Sequence, residues 1–557
     1  MVNFYTKPNP SGGFIYNIPK GAFLKQQAGS VQGFTLRAQA NYDKQVARDH
    51  SVNVILGAEV RKLVNSSSTY SYFGYNDQSL FQQPVDFKAI TTNFGASYAQ
   101  SNGALNFSNL FNNTYSDDRF ISGYSNLVYA YKGKYSVTGS IRVDQSNLFG
   151  TDPKYKYKPL WSVGAAWNIH KEDFMQDLDW VRLLKLRVAH GFNGNVAKEA
   201  LPQVIAVDQL SYLNPAGVMP ALRLLSYANS GLRWEQTHNL NLGINYEIFR
   251  GITGSVDYYV KKSTDVLANN QIDASKGGVS ALVNEASIRN TGLEISLQAD
   301  WISKRKFNWN TGFVFAKNNS KVLQVYNSDI NESSPSWQYI SGSYANYLKG
   351  YAVGALFSYR YAGLDNTSYP LIYDAGGKIK KLYENDAKIL DVSYEGSSIP
   401  VINLGLSNRV DIGNFYVYCM INYYGNFRVR VPVPSATDTR PLKGAGNYWK
   451  KPGDEMNPDI LPDISNSSSI QYYFTLATTD KYTVNGSYLT LGDLTAAYIF
   501  RDSKWLKKSG IGNVEIKVQA SNIYTVGFNS YNYSLATGNF AKRYLTPTYN
   551  AAISVNF

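Results

Sequence analysis

The chain has 557 residues and a net charge of +13, but only 17% of its residues are charged, against roughly 25% in ordinary soluble proteins. A mean hydropathy of −0.30 argues against a bundle of membrane helices, and the 45 Tyr and 44 Gly residues favour β-structure. The only cysteine, Cys419, excludes a disulfide framework and a Cys-based zinc site within one chain. The four histidines are too scattered to indicate a metal cluster, so we expect neither a metal nor a cofactor.

Alternating apolar and polar residues recur along the chain and indicate β-strands with two different faces. We predict about fifteen strands of roughly 9–12 residues, the length that a tilted strand needs to cross a bilayer. In chain order, they begin near Phe34, Val52, Gly123, Tyr135, Trp161, Leu184, Leu240, Ile252, Leu293, Asn308, Val401, Phe415, Ser487, Val514 and Tyr549.

The predicted connections are of two kinds, short and long, which alternate along the chain. One connection of medium length on each side of the membrane is an exception. Short ones cover residues 132–134, 249–251, 303–306 and 412–413. Long ones, rich in Tyr, Asn, Ser and Gly, cover about 62–119, 192–236, 263–289, 318–399, 426–485 and 524–546. This combination predicts an all-β protein, a transmembrane antiparallel β-barrel whose polar face lines the lumen and whose apolar face meets lipid. A soluble β-sandwich array or propeller is the alternative, but its loops are rarely so unequal in length.

Short motifs occur in a fixed order over nearly the whole chain. They include YAYKGKY at 129–135, WSVGAAW at 161–167, GFNGN at 191–195, DYYVKK at 257–262, NTGLE at 290–294, KPGD at 451–454 and ASNIY at 520–524. Each motif is weak alone, but in this order they resemble SusC-like (SusC/RagA) TonB-dependent outer-membrane transporters.

The resemblance implies a 22-stranded barrel with a plug folded inside it, of which this chain would form about the last fifteen strands. We therefore expect the plug, the TonB-box peptide, a carboxypeptidase-like domain and about seven strands to precede Met1 or to come from a second chain. The first residues have neither the basic nor the apolar region of an export signal, so that signal would also lie upstream.

The resemblance also implies a function in the outer membrane of a Gram-negative bacterium. We expect import of a bulky nutrient, an oligosaccharide or oligopeptide, which a SusD-like surface lipoprotein delivers to the long loops. Energy would come from the TonB complex acting on the plug, and no bond would be broken, so we expect no enzyme and no catalytic residue. The alternatives are a structural or secretion-associated barrel scaffold and a passive porin.

Aromatic residues in two long loops are the candidate ligand contacts, because flat rings stack on sugars. Trp337, Tyr339, Tyr344 and Tyr347 belong to one loop, and Tyr448 and Trp449 to another. The same rings could instead pack the loops together, contact a partner protein, or belong to the aromatic belt at the membrane interface.

Other motifs favour structural explanations. Gly191 and Gly194 lack the Lys-Ser/Thr of a phosphate-binding loop, and Asp144, Asp257 and Glu294 are interpreted as lumen-facing residues rather than catalytic carboxylates. The segment 373–380, where relatives carry a calcium-like sequence, has only one acidic residue. Lys and Arg are dispersed, which disfavours nucleic acid as a partner and favours the phosphates of outer-membrane lipid.

The carboxyl terminus ends on an aromatic residue, Phe557, in step with the alternating apolar residues Tyr549, Ala551, Ile553 and Val555. We expect its ring at the periplasmic edge of the apolar band, where aromatic side chains tolerate the wet interface. As the resemblance implies, Phe557 would also be the signal that the membrane-assembly machinery reads.

Overall fold

The computed structural model describes residues 6–87, 110–148, 158–195, 204–211, 219–226, 229, 231–249, 251–271, 280–325, 335–340, 347–381, 387–437, 442–465, 469–501, 504–531, 533–534, 539–540 and 546–556. Its main feature is one antiparallel sheet of fifteen strands, in which every strand pairs with its neighbours in sequence. The predicted number of strands is therefore confirmed.

The fifteen strands are numbered here in chain order, and β1 and β15 form the two edges of the sheet. Their bounds are β1 Ala22–Ala47, β2 His50–Tyr75, β3 Asn112–Tyr131, β4 Tyr135–Ser146, β5 Leu160–Asn168, β6 Val181–Asn195, β7 Glu235–Ile248, β8 Ile252–Gln271, β9 Ser280–Lys304, β10 Phe307–Gln324, β11 Ile402–Ile412, β12 Phe415–Gly425, β13 Tyr488–Phe500, β14 Asn513–Gly527 and β15 Thr548–Asn556.

Tight connections join the hairpins where the sequence predicts them. The β3–β4 turn is the clearest case, because Lys132 and Gly133 both have positive φ, 51° and 60°. Two successive left-handed residues give this three-residue connection a twist that matches the flanking strands, and Lys134 N donates to the Tyr131 carbonyl at 3.0 Å to close the turn. Short connections also join β7 to β8, β9 to β10 and β11 to β12.

Several strands are longer than predicted. Residues 62–119 were expected to form a loop, but β2 continues to Tyr75 and β3 begins at Asn112. Residues 263–289 differ in the same way, because β8 continues to Gln271 and β9 begins at Ser280. The apolar alternation marks only the lipid-facing length of a strand, whereas backbone pairing continues for as long as the neighbouring strand offers partners.

The two faces of the sheet differ in chemistry. On one face, apolar side chains such as Leu240, Leu242 and Ile244 of β7 are exposed. On the other face, charged groups are paired: Arg187 contacts Asp257 at 2.9 Å, and Arg142 contacts Asp144 at 2.7 Å. Glu294 lies opposite Asp257 in the register. A face of ion pairs and a face of exposed apolar residues suit a wall between an aqueous lumen and lipid.

An aromatic belt follows the short-turn end of the sheet. Its rings lie in or beside the turns, at positions that suit a membrane–water interface. The members are Tyr135, Trp167, Trp180, Phe249, Trp301, Trp309, Phe415 and Tyr498.

The remaining elements precede β1 or lie in the connections between the strands of the main sheet. Short strands occupy Thr6–Pro8, Phe14–Tyr16, Ile205–Ser211, Met219–Ser226, Ala355–Leu364, Pro370–Tyr373, Ile379–Lys381, Val392–Ser397, Arg428–Arg430, Thr483–Asn485, Tyr533–Ser534 and Asn539–Phe540. The described α-helices are α1 Trp337–Ile340, α2 Ser469–Ala477 and α3 Lys504–Lys508, and 3-10 turns cover Ile169–Lys171, Asp173–Met175, Ile389–Asp391, Asp454–Met456 and Asp480–Tyr482. Of the helices in the described ranges, none has the length and apolar character that crossing a membrane requires.

Two of the long connections fold together into a unit that we call the cap, formed by the described residues of 335–399 and 427–487. It has two apolar cores, one around Phe357 and Ile372 and one around Val431 and Leu476, and Tyr533 of the β14–β15 connection packs into the second core. Arg430 joins the cores, because it donates to the main-chain carbonyls of Ile340 and Phe357. The cap is therefore a packed structure rather than a set of separate loops.

Candidate functional site

A cavity of about 980 Å³ lies between the cap and the loop ends of β9 to β12. The wall and the cap meet here through hydrogen bonds: Gly350 N donates to the Val322 carbonyl at 2.8 Å, and Val353 N donates to Ser320 Oγ at 3.1 Å. Its lining includes Asn290, Asn318, Asn319, Ser320, Lys321, Tyr351, Tyr394, Glu395, Asn426, Phe427, Arg428 and Asn485.

Asparagine side chains form the polar part of the lining. Asn290 of β9 is the register partner of Ser320 of β10, and Asn318 lies two residues before that serine. The main chain of Asn318 is held by a 2.9 Å bond to the Val401 carbonyl, which fixes the strand end. Each Asn amide offers both donors and acceptors, so this wall can bond hydroxyl or peptide groups alike.

Tyrosine rings form the other side of the cavity. Tyr351 and Tyr394 have ring centroids 5.0 Å apart, and both pack against Phe357 of the cap core. Tyr394 is nevertheless 46% exposed, so its ring is held by Phe357 and Tyr351 and is still accessible to a ligand. A preorganised aromatic surface of this kind binds ligands at low entropic cost.

Three charged residues also line the cavity: Lys321, Glu395 and Arg428. Arg428 Nε donates to the main-chain carbonyl of Glu395 at 3.3 Å. Burial raises the pKa of the Glu395 carboxyl, and the negative charge of Asp480 raises it further, while Arg428 acts in the opposite direction.

The predicted ligand contacts of the first loop lie elsewhere in the cap. Tyr339 packs on Phe357 with ring centroids 4.9 Å apart, and burial raises the pKa of its hydroxyl. Trp337 and Tyr347 are 55% and 46% exposed on the cap surface. Tyr344 lies outside the described residues.

The second predicted pair also has local partners. Tyr448 packs against the Val431 core, with Lys450 Nζ 5.2 Å from its ring centroid. Trp449 Nε1 donates to Glu455 Oε2 at 3.0 Å. Of the five predicted aromatic residues that the structure describes, none lines the cavity, so their contact with a ligand stays a prediction.

The sequence carried a weaker signal for the cavity than for the aromatic loops. Asn318-Asn319-Ser320 directly follows a predicted strand, and the lining residues Tyr351 and Pro400 lie in GYAVG at 350–354 and PVINLG at 400–405, two further segments of the family-like motif series. Polar residues that follow a predicted strand, together with these motifs, therefore locate the cavity better than the number of aromatic residues in a loop does.

Two other expectations concern the chain end and metals. Phe557 lies outside the described residues, but Tyr549 and Ile553 of β15 are 73% and 71% exposed on the apolar face. Its role as an assembly signal stays a prediction. Within the described ranges, no group of three or more His, Cys, Asp or Glu side chains is placed to hold a metal ion.

Comparison with known proteins identifies the fold. Residues 21–523 match the family model described as TonB dependent receptor-like, beta-barrel. The chain belongs to this family. Its members are outer-membrane proteins of Gram-negative bacteria, so the fifteen-stranded sheet is the wall of an outer-membrane β-barrel.

Individual relatives agree with this assignment. TonB-dependent receptor P39 of Formosa agariphila is 25% identical over 510 residues, which cover 83% of this chain and 48% of the relative. TonB-dependent receptor SusC of Bacteroides thetaiotaomicron is 25% identical over 265 residues, 46% of this chain and 26% of the relative. The SusC-like resemblance is confirmed, and the chain spans less than half the length of these curated relatives.

A solved structure shows the same fold. The RagAB peptide importer in the "open-open" state superposes with a TM-score of 0.75 at 19% identity, over 97% of this chain and 57% of that chain. At this identity the likeness concerns the fold alone.

Proposed function

We propose that this chain is part of a transporter that imports a bulky nutrient, an oligosaccharide or oligopeptide, across the outer membrane. The observation that supports it most directly is the cavity of about 980 Å³ between the cap and the loop ends of β9 to β12. A cavity of this size suits several linked residues of a ligand, and its Asn and Tyr lining suits hydrogen bonding and stacking.

The partners follow from the same proposal. A SusD-like surface lipoprotein would lie over the cap and deliver the ligand, on the surface where Trp337 and Tyr347 are exposed. The TonB complex would supply energy through a plug. Transport needs no bond cleavage, so we propose no enzymatic step.

Uptake in cells tests this function. A deletion strain and the complemented strain are each given labelled oligosaccharides and labelled oligopeptides, with and without an uncoupler of the inner membrane. We expect the deletion to abolish uptake of one class, and the uncoupler to abolish it in the complemented strain. Uptake that depends on the protein but resists the uncoupler would indicate a passive porin, and unchanged uptake of every ligand would favour a structural or secretion-associated scaffold.

A further inference from the structure

A row of basic residues crosses the apolar face of the sheet, towards the end where the long connections lie. His238 of β7 is the register partner of Lys262 of β8, which in turn is the partner of Arg289 of β9. Lys321 of β10 is the next partner of Arg289. The row lies two positions beyond the exposed Leu240 of β7, so it belongs to the lipid-facing side.

The side chain of Lys321 lies on this face although the residue also borders the cavity. Ser320 Oγ accepts a hydrogen bond from Val353 N of the cap, so Ser320 faces the cavity side of the sheet. Successive side chains of a strand point to opposite faces, which directs Lys321 away from the cavity. Lys317, four positions earlier in β10, lies on the same face as Lys321, and both are exposed.

The Lys and Arg side chains of this surface lack an acidic partner among the described residues. No described carboxylate oxygen lies within 4.0 Å of the basic groups of Lys262, Arg289, Lys317 or Lys321. Like charges that lie directly opposite each other on two strands destabilise a sheet. The row is therefore unfavourable unless an anion from outside the chain lies against it.

Elsewhere on the same face, the chain itself neutralises such a pair. Lys62 of β2, two positions beyond the exposed Val60, is the register partner of Arg119 of β3. Asp117 Oδ2 lies 3.7 Å from Lys62 Nζ and 2.5 Å from Arg119 Nη2. The pair between β8 and β9 repeats this Lys–Arg arrangement without an aspartate, so its counter-charge has to come from a ligand.

The height of the basic residues along the wall matches the edge of the apolar band. His238, Lys262 and Lys317 each lie ten positions from the short-turn end of their strands, β7, β8 and β10. Ten residues of a strand tilted by about 40° rise about 25 Å, which is the height of the apolar band of an outer-membrane barrel. With the short turns on the periplasmic side, these residues reach the headgroups of the outer leaflet, and Arg289 and Lys321 lie farther out along their strands.

An apolar groove lies on the same face, nearer to the short turns. Its volume is about 680 Å³, and its lining includes Val137, Ala165, Val188, Leu242 and Tyr258 of β4 to β8. Ala165 lies in register between Val137 and Val188, and its small side chain leaves space between them. Leu242 and His238 are four positions apart on β7, so about 13 Å separates the groove from the row, a distance that a lipid acyl chain spans.

We propose that this surface is a binding site for a phosphorylated glycolipid of the outer leaflet. A phosphate group lies against Lys262 and Arg289, with Lys317 and Lys321 beside it, and an acyl chain occupies the groove. A guanidinium group binds phosphate through two parallel N–H bonds, and lysine adds a point charge. The phosphate removes the repulsion between β8 and β9. This lipid site lies on the outside of the wall, separate from the cavity, and is independent of the imported nutrient.

Native mass spectrometry of the purified protein in detergent tests the site with two lipids and one ion. The lipids are bisphosphorylated lipid A and the same lipid after removal of both phosphates, and the ion is inorganic phosphate. We expect phosphorylated lipid A to bind about tenfold or more tightly than the dephosphorylated lipid, because the charged hydrogen bonds are lost in the latter. Inorganic phosphate at the same concentration should not displace the lipid, since the ion makes no contact with the groove.

The double variant Lys262→Gln/Arg289→Gln removes the two charges that face each other across β8 and β9. It should bind phosphorylated lipid A about tenfold more weakly than the unaltered protein does. The matched control is Lys62→Gln/Arg119→Gln, because Asp117 already neutralises that pair, and its affinity should change less than about twofold. The folded state of each variant is checked by its heat-modifiable mobility on a gel.

The variant Ala165→Phe fills the groove with a ring and leaves the basic row intact. It should weaken binding of the phosphorylated and the dephosphorylated lipid by the same factor, because both carry the same acyl chains. Unchanged binding to this variant, or displacement of the lipid by an equal concentration of inorganic phosphate, would show that no acyl chain occupies the groove and that the occupant is not a lipid.

Three further results would overturn the proposal: equal affinities of the unaltered protein for the two lipids, an unchanged affinity of Lys262→Gln/Arg289→Gln for lipid A, or an equal loss of affinity in the control. The first comparison uses the unaltered protein, so it decides the role of the phosphates even where a variant does not fold.

Discussion

Glu172 connects three side chains at the short-turn end of the sheet. It accepts hydrogen bonds from the Tyr135 hydroxyl at 2.6 Å and from Trp167 Nε1 at 2.9 Å, and it pairs with Lys134 Nζ at 3.0 Å. The rings of Tyr135 and Trp167 stack with centroids 6.3 Å apart. These donors hold the pKa of the Glu172 carboxyl at about 2, well below its ordinary 4.5.

The variant Glu172→Gln tests how far this residue stabilises the barrel. Because the pKa of the folded state is lowered, the carboxylate stabilises the fold fully above the unfolded pKa, and the contribution is lost as the pH falls from about 4.5 towards about 2. We expect the variant to unfold at a lower temperature at pH 7, with the difference shrinking below pH 4.5. The measurement is the temperature at which the folded gel band disappears, as a function of pH.

Asp173→Asn is the control for this experiment. Asp173 also contacts Lys134, at 3.1 Å, but its side chain is 89% exposed, so its ion pair is worth little. Equal shifts in the two variants would show that the aromatic donors to Glu172 do not contribute.

At the level of elements, β2 and β3 pack closely because a glycine of β2 leaves space for a tyrosine ring of β3. Gly57 of β2 is the register partner of Tyr124 of β3, and a Cβ atom on Gly57 would overlap the tyrosine ring. The Tyr124 hydroxyl donates to Gln39 Oε1 at 2.9 Å, so the ring spans three strands. The same pairing occurs where Tyr259 of β8 covers Gly292 of β9.

Gly57→Ala should therefore displace the Tyr124 ring and lower the free energy of unfolding by about 1–3 kcal/mol. Gly123→Ala is the matched control, because a Cβ atom at Gly123 of β3 would meet nothing within 4 Å. We expect the control to change the free energy of unfolding by less than about 0.5 kcal/mol. Urea titration of the folded gel band measures the free energy of unfolding of both variants. Equal urea midpoints for Gly57→Ala and Gly123→Ala would contradict the steric explanation.

The strands were predictable because each residue's environment is set locally, by lipid on one face and water on the other. Leu240 and Asn241 alternate for that reason alone, and Lys132-Gly133 marks a turn through its backbone preference. Cap residues follow no such period, because Phe357 and Leu476 are buried by contacts between distant segments. The abundance of aromatic residues in two long loops therefore suggested Tyr339 and Tyr448 as candidate ligand contacts, but it could not show that both pack against the cap cores.

At the scale of the whole molecule, the wall has a defined sidedness. Short turns and the aromatic belt lie at one end, and the cap and the cavity lie at the other. In an outer-membrane barrel the short turns face the periplasm and the long connections face the outside.

Labelling of introduced cysteines tests this orientation in whole cells. Trp337→Cys places a thiol on the exposed cap surface, and Asn414→Cys places one in the β11–β12 turn. An impermeant maleimide should label the first and not the second, and the unaltered protein gives the background from Cys419, which is half-buried in β12. Labelling of the Asn414→Cys variant but not of the Trp337→Cys variant would show that the orientation is the reverse of the predicted one.

The cap also constrains the order in which the protein folds. The buried bond between Ser358 Oγ and Thr483 Oγ1, 2.6 Å long, joins residues 125 positions apart. One comes from the connection between β10 and β11, and the other from the connection between β12 and β13. Contacts this remote in sequence form slowly, because the closure entropy of the intervening chain must be overcome first. We therefore expect the cap to close after β10 to β13 have paired, so that the cavity beneath it is one of the last parts of the protein to form.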